Sequence, residues 1–165
     1  MIFYEEILKE FQKQKVKYVL VGGVAVNLLG LMRSTADLDI LVEMSSENLS
    51  KIVRILKKKG YKVKQPVDPM QICNREVRKD WIVHKHMKAF NFYKDAEFKE
   101  VDIIIDSPVS FEQAQKELLY VKAGDIKLPV ISLNHLIKMK NKAGREVDRL
   151  DVQELKRLKK CKENQ

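Results

Sequence analysis

Asp37 and Asp39, two acids one residue apart, are the side chains whose type and spacing best suit chemistry. They open an apolar run, Leu38 to Val42, that predicts a β-strand, and residues i and i+2 of a strand point to the same side. Two carboxylates held this close repel each other and raise each other's pKa unless a cation is bound. Hard oxygen ligands favour Mg²⁺, so the pair predicts a magnesium site.

The pair Gly22-Gly23 ends an earlier apolar run, Tyr18 to Val21. Glycines at that position suit a turn whose backbone N–H groups face a phosphate. The alternative is an ordinary turn that needs glycine only for its conformation. Because the aspartate pair follows closely, we favour the phosphate role and expect a site that combines metal and phosphate.

Asp102 is a third candidate ligand, because it interrupts an apolar segment, Val101 to Ile105, that reads as a central strand. A buried charge without a partner is costly, so a carboxylate there needs a reason. One reason is metal binding beside Asp37 and Asp39, and the alternative is a position at the sheet rim that faces water. Three carboxylates can hold two Mg²⁺ ions about 4 Å apart, an arrangement that supports phosphoryl or nucleotidyl transfer.

The order of elements must bring these acids together. Apolar periodicity and turn signals predict helices and strands in mixed order, with several strands joined by short loops. No repeat or linker divides the chain, so we expect one domain over residues 1–165 with a C-terminal helical segment at 132–161. The predicted fold class is α/β (α+β), with a mixed β-sheet flanked by helices.

Composition narrows the class of protein further. The 165 residues are 45% apolar, and no apolar run approaches the roughly 20 residues that span a bilayer. The N-terminal stretch carries early acids and predicts an amphipathic helix rather than a signal peptide. Cys73 and Cys161 stand alone, which argues against a disulfide framework or a cysteine zinc site. We therefore expect a cytoplasmic protein without a membrane partner.

The net charge of +9 favours a polyanionic partner such as RNA or a nucleotide. Much of the excess lies in Lys57–Lys59 and in the tail from Lys156 to Lys160. The alternative is that both clusters are solvated helix ends, where cations are favoured by the helix dipole.

The string GGVAVNLLGLMRSTADLDILV resembles the nucleotidyltransferase superfamily that includes DNA polymerase β, the minimal bacterial nucleotidyltransferases and the antibiotic nucleotidyltransferases. The shared pattern is an apolar strand, a Gly-Gly pair, a short helix and then Asp-apolar-Asp. A third acid on a later strand is also expected, and Asp102 matches it. The resemblance implies that Asp37, Asp39 and Asp102 are catalytic metal ligands and that Gly22 and Gly23 bind an NTP.

The end of the chain is similar to a narrower group, the AbiEii toxin-like nucleotidyltransferases. Lys140 to Arg145 followed by Asp148 and Asp151 matches its C-terminal motif, and Arg33 to Thr35 matches the segment before the acids; Val147 departs from it. The resemblance implies nucleotide contacts from Lys140 and Arg145. Arg33 and Thr35 precede the acid pair and are candidates for phosphate contacts, because arginine suits fork-like binding of phosphate; the alternative is that Arg33 is an ordinary surface residue.

Helix geometry bears on Lys140 independently, because it shares a face with Leu136 and Ile137. Such a lysine either extends to solvent or meets an acid or a phosphate. The structural alternative is therefore an ion pair from Lys140 or Arg145 to Asp151 that docks the last helix.

We therefore expect a Mg²⁺-dependent nucleotidyltransferase that moves NMP from an NTP such as ATP to an acceptor hydroxyl, with two metal ions. The resemblance allows three acceptors: RNA such as a tRNA 3′ end, a partner protein, or a small molecule such as an antibiotic. The basic charge and the toxin-like motif favour RNA and a toxin–antitoxin setting. The alternative is a nucleotide- or RNA-binding regulatory module without turnover.

Overall fold

A seven-stranded mixed sheet organises residues 3–165, the part of the chain that this computed structural model describes. The strands are β1 (Tyr18–Leu20), β2 (Asp37–Val42), β3 (Lys62–Val63), β4 (Ala89–Lys94), β5 (Lys99–Ile104), β6 (Leu119–Ala123) and β7 (Ile126–Val130). The helices are α1 (Glu5–Lys13), α2 (Gly22–Leu28), α3 (Ser46–Lys58), α4 (Arg75–Val83), α5 (Phe111–Gln115), α6 (Leu133–Ala143) and α7 (Glu146–Glu163). Short 3₁₀ turns occur at Pro69–Cys73 and Asp95–Glu97.

The strands lie in the order β3-β4-β5-β2-β1-β7-β6. The central strand β2 pairs in parallel with β5 and antiparallel with β1, which in turn pairs in parallel with β7. The hairpins β4–β5 and β6–β7 extend the sheet on either side, and β3 closes one edge against β4. This architecture confirms the predicted mixed sheet with flanking helices.

Strand alternation divides the central strands into an apolar face and an acidic face. The apolar face is fully buried and comprises Leu38, Ile40, Phe90, Phe92, Val101 and Ile103. The intervening residues Asp37, Asp39, Glu100 and Asp102 must then lie on the opposite face, because successive side chains of a strand alternate. Burial of the apolar set therefore fixes the direction of the acids, since a slip of one residue would invert both faces.

The first helix packs on the molecule as its pattern predicts, with Ile7, Leu8 and Phe11 buried. Met1 and Ile2, which the sequence pattern also includes in the amphipathic stretch, lie outside the described residues. Helix α3 begins at the Ser45 cap, whose hydroxyl accepts a hydrogen bond from the Asn48 amide at 3.2 Å.

The third strand is shorter than its pattern suggests. A strand is predicted from Tyr61 to Val67, but only Lys62–Val63 pairs with β4. Pro66 has no amide proton to donate to a ladder and also restricts the residue before it, so the chain leaves the sheet there.

The two C-terminal helices are separated by Gly144, which has a φ of +66° and ends α6 in the left-handed conformation that glycine tolerates. Helix α7 packs back on α6 through Val152 and Leu155. Among residues 3–165, no helix is both long enough and apolar enough to cross a membrane.

Candidate active site

Three carboxylates converge where β2 and β5 run side by side. The parallel register places Asp37 opposite Glu100 and Asp39 opposite Asp102. One oxygen from each of Asp37, Glu100 and Asp102 lies within 4.8 Å of the other two. The structure thus brings together two of the three acids that the sequence singles out, from positions far apart in the chain.

Asp39 belongs to the same face but holds its carboxylate differently. It does not join the group of three; its carboxylate lies against Gly22, where a Cβ atom built on the glycine would fall 1.9 Å from Asp39 Oδ2. Burial raises the pKa of Asp39 to about 7, and the negative charges of Asp102 and Asp37 add to this effect. Because its pKa is raised, ionisation of Asp39 is energetically unfavourable in the protein without a bound cation. A cation beside the carboxylate would remove that cost, so the position suits a cation.

Glu100 is the acid that the sequence analysis does not name as a site residue. It precedes Asp102 by two positions, so strand alternation places both side chains on one face. Strand alternation, which predicts that Asp37 and Asp39 share a face, predicts the same for Glu100 and Asp102. The Glu100 carboxylate accepts a hydrogen bond from Lys64 at 2.6 Å, which partly neutralises it.

Asp102 is oriented by an amide from the neighbouring strand. Asn91, opposite Asp102 on β4, donates to Asp102 Oδ1 at 2.7 Å, and Gln65 donates to Asn91 Oδ1 at 2.7 Å. Burial is the largest influence on the pKa of Asp102 and raises it, while the hydrogen bond from Asn91 acts in the opposite direction. A half-buried carboxylate with a fixed orientation is a suitable ligand or proton acceptor.

The Gly22-Gly23 pair begins α2 in close contact with the acids and with the loop that precedes them. Gly22 has a φ of +64°, and a Cβ built on Gly23 would fall 2.6 Å from Thr35 Oγ1. Both positions therefore exclude any side chain, because the space is filled and the first is also left-handed. The first-turn amides of α2 are directed out of the helix beside Asp39.

A cavity of about 620 Å³ opens beside Asp39 and Gly22. Its basic lining residues are Lys88, Lys140, Lys142 and Arg145, and its apolar lining residues include Ile104, Pro108, Leu136 and Met139. This volume lies within the usual range for ligand sites, and the combination of apolar walls with cations suits a base attached to phosphates. Asp39 thus lies between this cavity and the acidic group.

Lys140 is buried, with only 5% of its surface exposed, and is held by two carboxylates. Its Nζ lies 2.7 Å from Asp151 and 3.3 Å from Asp148. The tie between Lys140 and Asp151 matches the structural alternative from the sequence. Because Lys140 also lines the cavity, it connects the docking of α7 to the cavity wall.

The other basic candidates occupy different surroundings. Arg145 pairs with Asp148 at 2.7 Å, yet its side chain is 70% exposed and lines the cavity. Arg33 pairs with Asp151 at 2.7 Å and lines a separate, open depression with Met32 and Ser34. The structure therefore places Arg145 at the cavity and Arg33 at the separate depression.

The acidic group fits a divalent metal by its donor chemistry. All its donors are carboxylate oxygens, which favour Mg²⁺ over softer ions. Burial raises the pKa of Asp39 and of Asp102, and the neighbouring negative charges add to that effect. Asp37, Asp102 and Glu100, with Asp39 beside them, are the residues that would hold such an ion.

A mixed sheet that carries clustered acids beside a Gly-Gly helix start defines a nucleotidyltransferase, an enzyme class that uses an NTP and a divalent metal to transfer a nucleotidyl group to a hydroxyl. Residues 4–158 match the family described as aminoglycoside-2″-adenylyltransferase. The chain belongs to this family. No curated protein shows significant similarity to the sequence.

Solved structures share the fold. The lincosamide antibiotic adenylyltransferase LnuA, bound to lincomycin, has a TM-score of 0.63 and 21% identity over 94% of this chain and 96% of its own. ANT(2″)-Ia in complex with adenylyl-2″-tobramycin has a TM-score of 0.56 and 14% identity, covering 92% of this chain and 83% of its own. A candidate nucleotidyltransferase from Thermotoga maritima has a TM-score of 0.55 and 17% identity, covering 98% and 91%.

These comparisons support some of the predictions made from the sequence and give no support to others. They confirm the nucleotidyltransferase superfamily and the enzyme class. They give no support to the toxin-like subgroup, to a toxin–antitoxin setting or to an RNA acceptor.

Proposed function

We propose that this protein is a Mg²⁺-dependent adenylyltransferase that moves AMP from ATP to a hydroxyl group of a small, antibiotic-like molecule. The observation that carries this proposal is the convergence of Asp37, Glu100 and Asp102 on neighbouring strands, beside a cavity with basic and apolar walls. The family description and the adenylyltransferases among the solved structures support AMP as the transferred group.

Asp37, Glu100 and Asp102, together with Asp39 beside them, would hold two Mg²⁺ ions. When bound, the metal supplies positive charge for the leaving pyrophosphate and lowers the pKa of the acceptor hydroxyl. Asp102 is fixed by Asn91 and takes the hydroxyl proton as attack on the α-phosphorus begins. Asp39, between the acids and the cavity, aligns the nucleotide with the acceptor.

The nucleotide would occupy the cavity beside Gly22. The amides of Gly22 and Gly23 donate to the phosphates, because the first turn of a helix leaves its N–H groups without helix partners. Arg145, exposed in the cavity wall, is the side chain best placed to reach the triphosphate. Lys140 lines the cavity from a buried position, but its charge is balanced by Asp148 and Asp151. Thr35 lies against Gly23, and Arg33 ties the loop before the acids to Asp151.

Charge pairing around the site favours an acceptor with few positive charges. Apart from Asp37, Asp39 and Asp102, the carboxylates in and next to the cavity already have basic partners. These pairs are Glu100 with Lys64, Asp106 with Lys88, Asp148 with Arg145 and Asp151 with Arg33. A polycationic aminoglycoside would compete with these lysines and arginines for carboxylates. A lincosamide, which carries a single amine, would not, so we favour an acceptor of that kind.

The proposal is tested by incubating the protein with Mg²⁺ and α-labelled ATP together with lincomycin, tobramycin or purified tRNA. We expect label on lincomycin, less or none on tobramycin, and none on tRNA. The Asp37→Asn variant serves as the blank, because it removes a charge from the acidic group.

If tRNA becomes labelled and the antibiotics do not, the acceptor is RNA rather than a small molecule. The protein could instead bind ATP without transferring label to any acceptor, including the small molecules and RNA of a cell extract. That result would favour the non-catalytic regulatory module. Transfer by Asp37→Asn at the wild-type rate would refute the assignment of the site.

A further inference from the structure

The hydroxyl group of Tyr4 lies between the two strands that carry the acids, at the end where Asp37 and Glu100 emerge. It donates to the carbonyl oxygen of Ala36, lies 2.8 Å from the carbonyl oxygen of Glu100 and accepts from the Glu100 amide at 3.1 Å. Tyr4 is only 4% exposed. All three of its partners are backbone atoms: two belong to Glu100 in β5 and one belongs to Ala36, the residue directly before β2.

We propose that Tyr4 is a positioning residue for the acidic group: its hydroxyl bridges β2 and β5 and sets the spacing of Asp37, Glu100 and Asp102. The inference rests on the proposed metal role of these acids. Ala36 directly precedes Asp37, and Glu100 is itself a member of the group. A change in the distance between these backbone segments therefore moves the carboxylates relative to one another.

The bridge is rigid because Tyr4 is anchored at its other end. Its own carbonyl oxygen accepts hydrogen bonds from Ile7 and Leu8 at 3.1 Å each, which fixes it at the start of α1. Ile7 and Leu8 are buried in the core. Helix α1 therefore fixes the position of the phenol ring. Through its hydrogen bonds, the hydroxyl in turn fixes the spacing of the two backbone segments.

Tyr18 provides a comparison within the same core. Its side chain is similarly buried, with 6% exposure, yet its hydroxyl makes no hydrogen bond within residues 3–165. The Tyr18 hydroxyl is not a buried unsatisfied group, so it remains accessible, whereas the Tyr4 hydroxyl ends on three backbone atoms. The contacts of Tyr4 are specific to the strand ends that carry the acids.

The test is Mn²⁺ binding to the full-length protein without nucleotide, measured from the spectrum of free Mn²⁺ by electron paramagnetic resonance. Loss of the bridging hydrogen bonds in Tyr4→Phe is expected to weaken Mn²⁺ binding about 5- to 10-fold. Tyr18→Phe removes a tyrosine hydroxyl that makes no hydrogen bond to either acid-bearing strand, and this variant is expected to bind Mn²⁺ like the wild type. Equal Mn²⁺ affinity in all three folded proteins would overturn the inference.

Enzyme kinetics separate this inference from the proposed function. With an active wild type, Tyr4→Phe should raise the Mg²⁺ concentration for half-maximal rate and lower kcat, while KM for ATP stays within about twofold. A Tyr4→Phe enzyme with wild-type Mg²⁺ dependence removes the role of Tyr4 and leaves the proposed function intact. If no transfer occurs in the wild type, the proposed function fails and Mn²⁺ binding still decides the role of Tyr4.

Stability is controlled in the same series. Phe11→Leu loosens α1 without altering the hydroxyl, so it reports on a general weakening of the helix. If Tyr4→Phe unfolds in plain buffer, the Mn²⁺ measurements on all variants are made in trimethylamine N-oxide, which favours the folded chain. Because α1 anchors the ring and Phe11→Leu keeps the hydroxyl, Phe11→Leu is expected to weaken Mn²⁺ binding less than Tyr4→Phe does, and a larger loss in Phe11→Leu would overturn the inference.

Discussion

Asp39 combines more roles than any other side chain of the site. It pairs in register with Asp102, contacts Gly22 and lines the cavity. Burial and two neighbouring acids raise its pKa to about 7. Without a cation, the ionised form is therefore disfavoured in the folded protein relative to the unfolded chain.

This imbalance predicts a pH-dependent stability. The unfolded chain releases the proton of Asp39 near pH 4 and the folded protein releases it near pH 7, so the folded state binds more protons between these values. The free energy of unfolding of metal-free protein should thus fall as pH rises through that window. After allowance for solvent screening, the loss is about 1–2 kcal/mol between about pH 5 and about pH 7.5.

Asp39→Asn removes that pH dependence, so it should stabilise the metal-free protein more at about pH 7.5 than at about pH 5. Urea unfolding in the presence of EDTA measures the difference, and the exposed Glu112→Gln is the control. A gain for Asp39→Asn that is the same at both pH values would contradict the assigned pKa.

At this scale the sequence is informative about residue types but not about their conformations. Strand alternation predicts that Asp37 and Asp39 share a face, and they do. It does not predict that Asp39 turns towards Gly22, because that depends on packing between elements. Strand alternation from Asp102 also predicts that Glu100 shares its face. That Glu100 lies next to Asp37 follows only from the pairing of β2 with β5.

At the scale of elements, the C-terminal helices are joined by a buried ionic cluster. Lys140 of α6 meets Asp148 and Asp151 of α7, and Arg33 joins from the loop before β2. The cluster links α7 to the loop that precedes the acids. Its charges are neutralised mutually, which allows Lys140 to remain buried.

Removal of Lys140 should therefore loosen α7. Lys140→Met leaves two buried or nearly buried aspartates with only their arginine partners, and the expected cost in the free energy of unfolding is about 2–4 kcal/mol. Lys138→Met, an exposed change on the same helix, should cost less than about 0.5 kcal/mol. Urea denaturation provides both values, and equal stability of the two variants would show that the cluster does not dock α7.

The sequence predicted this part of the fold only as alternatives. Helical spacing places Lys140 on the apolar face, so contact with an acid or a phosphate follows from the pattern. The selection of Asp148 and Asp151 requires the angle between α6 and α7, which the turn at Gly144 determines. The sequence makes Arg33 a candidate for a phosphate contact, and its contact with Asp151 arises across 118 residues of chain.

At the scale of the molecule, the fold class followed from the mixed order of elements, but the sheet order did not. The parallel pairs β2–β5 and β1–β7 join distant segments, and local patterns carry no information about such partners. The family match and the shared fold support the nucleotidyltransferase class across the whole chain.

Net charge is the whole-molecule property that favoured RNA as the acceptor, and the comparisons give that acceptor no support. The value of +9 favoured RNA, yet basic side chains around the site are paired with acids at short distance. The net charge of the whole chain does not describe the electrostatic potential inside one cleft. The positions of these pairs become visible only in the folded molecule.

If the acidic group of β2 and β5 carries Mg²⁺-dependent nucleotidyl transfer, Asp102→Asn must abolish that transfer. The measurement is the initial rate of labelled AMP transfer to the accepted substrate, with the exposed Asp125→Asn as the matched aspartate control. We predict that Asp102→Asn lowers the rate at least about 100-fold at any Mg²⁺ concentration while remaining folded, and that Asp125→Asn keeps the wild-type rate. A folded Asp102→Asn protein that retains the wild-type, Mg²⁺-dependent rate would contradict the account.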